Sequence, residues 1–107
     1  MHITTRLLAG SLFLGAAATN AQAEGDAAEG QALAREICAR CHNVEPQGVF
    51  KQHPPSFAAI AVYRSEDQIH GRIVFPPLHS GMPQVGHFLT PDSVENLIAY
   101  ITSLEKQ

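Results

Sequence analysis

Two thiols and an imidazole stand close together in Cys38-Ala39-Arg40-Cys41-His42, with the C-x-x-C-H spacing of a covalent attachment site for haem. Residues three and four apart on a helix or turn are surface neighbours, so Cys38 meets Cys41 and His42. Each thiol so placed can form a thioether with one vinyl group of a haem, and the adjacent imidazole then reaches the iron as an axial ligand. Few other uses of this residue set need the histidine directly after the second cysteine.

Three duller readings compete. A redox disulfide of the thioredoxin kind expects a βαβ pattern around the pair, and the sequence has none. A structural zinc site needs four ligands, often as a second Cys or His pair. No cysteine follows Cys41, and the remaining histidines are scattered singly. A structural Cys38–Cys41 disulfide would close a tiny, stiff loop for little entropic benefit. Haem attachment outranks all three.

A bound haem iron asks for a sixth ligand, and Met82 in His79-Ser80-Gly81-Met82-Pro83 is the best candidate. A thioether opposite histidine raises the reduction potential, as in cytochromes c. Pro83 stiffens the backbone beside it and Gly81 permits close approach. A lone methionine is more commonly core filler, but Met82 is the only methionine beyond Met1 and sits on a punctuated loop. The rivals His70, His79 and His87 would give a bis-histidine site of lower potential, with His79 nearest the loop centre. His53, closer to the attachment site, is expected near an exposed haem edge or in solvent.

The elements that must position these groups come next. At the N-terminus, Arg6 precedes an apolar run from Leu7 to Ala18, and Ala21-Gln22-Ala23 has the small-x-small form of a secretory cleavage site. The run is about twelve residues, against about 20 for a membrane span, so it reads as a leader rather than an anchor. Cleavage after Ala23 leaves 24–107 as one exported, periplasmic domain without a membrane anchor. Export suits the haem reading, because bacteria attach haem in this way beyond the inner membrane. A domain so small buries a thin core and needs a staple, which a buried haem would supply. The formal charge of −3 becomes one unit more negative once Arg6 leaves. That balance argues against a nucleic-acid binder, which needs clustered Lys and Arg. Lys51 and Lys106 are the only lysines, which argues against a basic docking ring.

Helix signals are good at both ends of the domain. Asp26 and Glu29 form a capping-box pattern, and Gly30, Leu33, Ala34, Ile37, Cys38 and Cys41 recur on one stripe. At the other end Thr90 caps, Pro91 takes the first helical position and Asp92 favours the positive end of the dipole. Leu89 and Val94 are set to staple that helix, and Leu97, Tyr100, Ile101 and Leu104 form its apolar stripe. Gly30 offers a gap that a bulky group such as Tyr100 would fill. Between the ends, Phe57 to Tyr63 reads as a short helix after Pro54-Pro55. Ser65 and Gln68 make a second capping box, leading a helix through His70 toward Ile73 that Pro76-Pro77 ends. The Pro- and Gly-rich stretch from there to Thr90 reads as loop, and no strand alternation is convincing.

These landmarks, in this order, resemble the small monohaem class I c-type cytochromes. The likeness runs from the Gly30 helix through Cys38 to His42, Pro55-Ser56-Phe57, Met82-Pro83 and the Leu97-to-Leu104 helix. It implies an all-α, cytochrome c-like fold around one haem c, held through Cys38 and Cys41 with iron bound by His42 and Met82. It further implies that the Pro55 carbonyl accepts a hydrogen bond from His42, fixing the ring and raising its donor strength. It implies too that Phe57 packs on the haem and that the terminal helices cross near Gly30 and Tyr100. Pro54 stands where the family often has glycine. Arg64 and Arg72 are either partners for haem propionates or ordinary exposed helix arginines.

The expected function is periplasmic transfer of one electron, as a monomer that meets its redox partners transiently through a small interface. No substrate is transformed, so the protein is not expected to be an enzyme. Two alternatives stay open: a haem subunit of a larger dehydrogenase or oxidase, and a ligand-binding or peroxide-reactive haem protein if Met82 leaves the iron free.

Overall fold

A computed structural model describes Gly15 and residues 25–106; apart from Gly15, the expected leader and its expected cleavage point lie outside the described residues. The elements are α1 (Ala27–Leu33), which continues as a π-helical turn (Ala34–Cys38), α2 (Phe57–Tyr63), α3 (Glu66–Val74) and α4 (Pro91–Ser103). Short 3-10 turns span Val85–Phe88, inside the expected loop, and Leu104–Lys106. No strand occurs among the described residues, and Gln52 and Pro55 form an isolated bridge. The fold is all-α, as the sequence implied.

Each helix start carries its own chemical cause. Thr90 accepts a hydrogen bond from the Ser93 N–H at 3.1 Å, with Pro91 in the first turn of α4. Ser65 and Gln68 complete a true capping box: the Ser65 Oγ accepts from the Gln68 N–H and the Gln68 Oε1 accepts from the Ser65 N–H. Ser56 caps α2 by accepting from the Ala59 N–H at 3.2 Å. Such caps are each worth about 1 kcal/mol.

The first helix departs from expectation. Asp26 caps α1 through the N–H groups of Ala28 and Glu29, but Glu29 does not reach back. The Asp26 N–H instead donates to the Asn96 Oδ1 at 2.7 Å, across to α4. A tertiary acceptor has taken the donor that a capping box would have satisfied locally.

The core forms where α4 lies across the other helices. Val94, Leu97, Ile98, Tyr100, Ile101 and Leu104 are all buried, joined by Ala34, Val44, Phe57, Ala61, Ile69 and Ile73. Burying each large apolar side chain stabilises by about 1.5–3 kcal/mol. Seven residues of α1 make no stable helix alone, so its packing on α4 sustains it. Gly30 is buried at the crossing, where an added Cβ would collide with the Asn96 carbonyl. The space at Gly30 is therefore filled by α4 backbone and not by the Tyr100 ring, which corrects the expectation. Backbones approach this closely only when neither helix has a side chain between them.

Candidate functional site

The π-helical turn delivers the attachment residues. The Ala39 N–H donates to the Ala34 carbonyl at 2.9 Å, five residues back, which widens the helix by one residue where Cys38 emerges. Single π-turns of this kind recur at functional sites. The N–H groups of Cys41 and His42 then both donate to the Cys38 carbonyl, at 3.2 and 2.9 Å. The three- and four-residue spacings are thus realised as one tight turn, which holds the two thiols and the imidazole together.

Every contact to His42 fixes its ring. Its Nδ1 lies 2.6 Å from the Pro55 carbonyl oxygen, a distance that makes Nδ1–H the donor and leaves Nε2 as the electron-pair donor. The ring tilts against Phe57, centroids 5.7 Å apart, and Phe57 in turn meets Tyr100 at 6.2 Å. Pro55 is itself held, since the buried Ser56 donates its N–H to the Lys51 carbonyl at 2.9 Å. The Phe57 N–H donates to the Asn43 carbonyl at 2.9 Å, tying the start of α2 to the residue after His42. The peptide bond between His53 and Pro54 is cis.

Cys38, Cys41 and His42 open onto a cavity of about 940 Å³, at the upper end of the range for small-molecule sites. Its walls are largely apolar, with Ile60, Ile69, Ile73, Leu97 and Ile101 prominent, and no carboxylate side chain lines it. Met82 is half-buried on the same cavity. The loop that brings it there turns at Gly81, whose φ of 75° is in the left-handed region that glycine alone enters freely. The Ser80 Oγ accepts the Met82 N–H at 3.3 Å.

The rival histidines fall elsewhere. His70, His79 and His87 are exposed and do not line the cavity. His53 is exposed on its wall, in keeping with a place at the edge. Phe57, Pro55, Cys38, Cys41 and His42 all lie on the cavity, with His42 against both Pro55 and Phe57. The α3 wall of Ile69 and Ile73 was missed as part of the site, although their four-residue spacing on a capped helix marks a buried face.

The thiol chemistry bears on the duller readings. Cys38 is half-buried, Cys41 is exposed, and both are free. Burial pushes the Cys38 thiol up to about 11. Burial of this kind opposes Cys38 as a reactive thiolate. A thioether carries no proton and tolerates the same apolar surround. Among the described residues no cluster of three or more His, Cys, Asp or Glu is arranged to hold a metal ion.

The arrangement fits a haem: a large apolar cavity, two thiols in one turn at its edge, an oriented imidazole and a thioether on one wall. A family model described as cytochrome c oxidase, cbb3-type, subunit III matches residues 25–101. No curated protein and no solved structure matches the chain. The matched span takes in α1, the attachment turn, the cavity and most of α4, so the chain belongs to this cytochrome c family and is a small c-type cytochrome, a class of protein whose work is haem-based electron transfer.

Proposed function

We propose that this protein is exported to the periplasm and there passes single electrons between protein partners, its iron held by His42 and Met82. Haem c, bound through Cys38 and Cys41, would supply an iron that alternates between ferrous and ferric states. The observation that carries the ligand assignment is placement: Met82 shares the cavity with His42, while His70, His79 and His87 do not.

The chain's own residues have clear tasks. Pro55 orients His42 and increases its basicity through the Nδ1–H hydrogen bond. Ile69, Ile73, Leu97 and Ile101 keep water from the cavity, which limits the reorganisation that accompanies a change of charge. Gly81 and Pro83 restrict the Met82 loop, which would hold its sulfur at the cavity when the haem is bound. Compartment and cleavage rest on the Leu7-to-Ala18 run and Ala21-Gln22-Ala23. Among the described residues no helix is long and apolar enough to cross a membrane.

The ferric spectrum of the exported protein tests the ligands. Methionine ligation gives a weak far-red sulfur-to-iron band, and its absence would reassign the sixth position. Rapid and complete binding of carbon monoxide to the reduced protein would favour the ligand-binding alternative. Pigment that remains with the polypeptide in acidified acetone establishes the covalent bond.

A second reading has its own support. The matching family model is named for an oxidase subunit, and Phe75, Leu78 and Phe88 are 79–89% exposed. Exposed apolar side chains of this size suit a permanent partner. Stable co-purification with an oxidase or dehydrogenase would favour a bound subunit over a free carrier.

A further inference from the structure

Ser56 is 1% exposed, and apart from the Tyr100 hydroxyl it carries the only buried polar side chain among the described residues. Burying a hydroxyl is costly unless it is hydrogen-bonded. Capping α2 does not require that burial, because Ser65 and Thr90 cap α3 and α4 from exposed positions. The Ser56 hydroxyl does something more.

Besides the Ala59 N–H, its oxygen accepts the Lys51 N–H at 3.4 Å. The Ser56 N–H in turn donates to the Lys51 carbonyl at 2.9 Å. These two bonds close the loop 51–56, with the Gln52–Pro55 bridge inside it. In an ordinary antiparallel pair the Ser56 carbonyl would accept the Lys51 N–H. That carbonyl is committed to the Ile60 N–H at 3.0 Å, the first bond of α2, so the hydroxyl takes its place.

The Ser56 N–H and the Pro55 carbonyl belong to one peptide group. That group is trans and planar, so its N–H and C=O point in opposite directions. Anchoring the N–H on Lys51 therefore aims the carbonyl, whose oxygen lies 2.6 Å from the His42 Nδ1. The next peptide is fixed as well, by the Phe57 N–H on the Asn43 carbonyl. We propose that Ser56 is a positioning residue for the axial imidazole: by closing the loop on Lys51, its hydroxyl sets the donor strength of His42 toward iron. The inference rests on the reading of His42 as the iron ligand.

The Lys51 carbonyl, the Pro55–Ser56 peptide and the His42 ring then stand in series. Hydrogen bonds in such a chain polarise one another. A firm hold on the Ser56 N–H makes the Pro55 oxygen a better acceptor, which raises the basicity of the imidazole. A more basic imidazole favours ferric iron and lowers the reduction potential. Without the hydroxyl the loop loses one of its two closing bonds, and the carbonyl is freer to leave the ring.

The experiment compares the holoprotein with its Ser56→Gly, Ser56→Ala and Ser56→Thr variants. It reads the reduction potential and, by NMR of the reduced protein, solvent exchange of the His42 Nδ1–H. Glycine is a tolerated helix cap, so Ser56→Gly removes the hydroxyl with little harm to α2 and carries the test if the alanine variant fails to fold. Ser65→Ala removes a cap from α3 that makes no bond to the 51–56 loop, and so controls for lost stability alone. In Ser56→Gly and Ser56→Ala the potential should rise, and the Nδ1–H should exchange about tenfold faster, the factor set by one net hydrogen bond. Ser56→Thr, which keeps a hydroxyl, should return both toward the parent, and Ser65→Ala should leave both unchanged. Parental potential and exchange in both the glycine and alanine variants would overturn the proposal. Equal shifts in Ser65→Ala would do so too, reducing Ser56 to a cap. A fall in potential would also overturn it, since that marks water entering the cavity and not a weaker imidazole. Pigment retained in acidified acetone and a parental His42 resonance displaced by the haem ring, checked first, separate failure of the ligand reading from failure of this inference.

Discussion

The Tyr100 hydroxyl donates to the Val44 carbonyl at 2.5 Å, across 56 positions of sequence. One bond therefore joins the last helix to the segment that leaves the attachment turn. Val44 and Tyr100 are 3% and 4% exposed, and the Phe57 ring lies between Tyr100 and His42 in a tilted aromatic row. Through this row α4 is tied to His42, whose ring the Pro55 carbonyl holds from the other side.

Tyr100→Phe tests that tie. The substitution keeps the ring but leaves the Val44 carbonyl without its partner, at a cost of about 1–3 kcal/mol. Urea unfolding should show a lower midpoint with an unchanged slope. An equal midpoint would mean that another donor or water satisfies Val44.

Gly30→Ala probes the helix crossing. Alanine would ordinarily gain about 1 kcal/mol in a helix interior. Here the new methyl meets the Asn96 carbonyl and the Leu97 N–H region, backbone atoms of α4 that cannot rotate aside. Overpacking costs about 1–3 kcal/mol and should exceed the gain, since α1 must move off α4. A lower melting temperature for the alanine variant is expected, and a higher one would mean that the helices separate easily.

How far the sequence revealed all this depended on the range of each interaction. Ser65 with Gln68 and Thr90 with Pro91 were legible because every partner lies within four residues. Asp26 with Glu29 had the same pattern, yet Asn96 takes the Asp26 N–H from 70 positions away. The stripe through Gly30 and Cys38 announced a buried face. It could not announce the π-turn, because one extra residue in the register leaves an apolar pattern nearly unchanged. The attachment residues were plain from their spacing, and Pro55 and Phe57 from family likeness. The pairing of Ser56 with Lys51 left no mark in the sequence, because its bonds are made largely by backbone groups that nearly every residue carries.

Acid sensitivity should report the Arg35–Glu45 pair. The Arg35 Nε and Nη2 donate to the two Glu45 carboxylate oxygens at 2.5 and 2.9 Å, linking the π-turn to the segment beyond His42. Hydrogen bonding from Arg35 holds the Glu45 carboxyl below its usual value, while Glu45 raises Arg35. For Glu45 the folded pKa lies below the unfolded one. Its contribution is thus present above the ordinary carboxylate range and is lost as pH falls through the folded value. For Arg35 the sign reverses, with loss only at strongly alkaline pH. Both groups are exposed, so the effect is modest and screened by salt. Glu45→Gln should flatten the acid limb of stability between about pH 5 and pH 3, and an unchanged limb would assign it to other carboxylates.

Met82→Ala bears most directly on the proposed ligand. Removing the thioether withdraws the ligand that favours the reduced iron, so the reduction potential should fall. It should also leave the sixth position open, because His70, His79 and His87 lie off the cavity and cannot readily replace it. Carbon monoxide should therefore bind the reduced variant rapidly, where the parent binds slowly or not at all. His79→Ala serves as the control, since its exposed side chain on the same loop should leave potential and ligand binding unaltered. If Met82→Ala keeps the parent potential and stays closed to carbon monoxide while His79→Ala opens, the sixth ligand is His79 and the Met82 sulfur is wall packing.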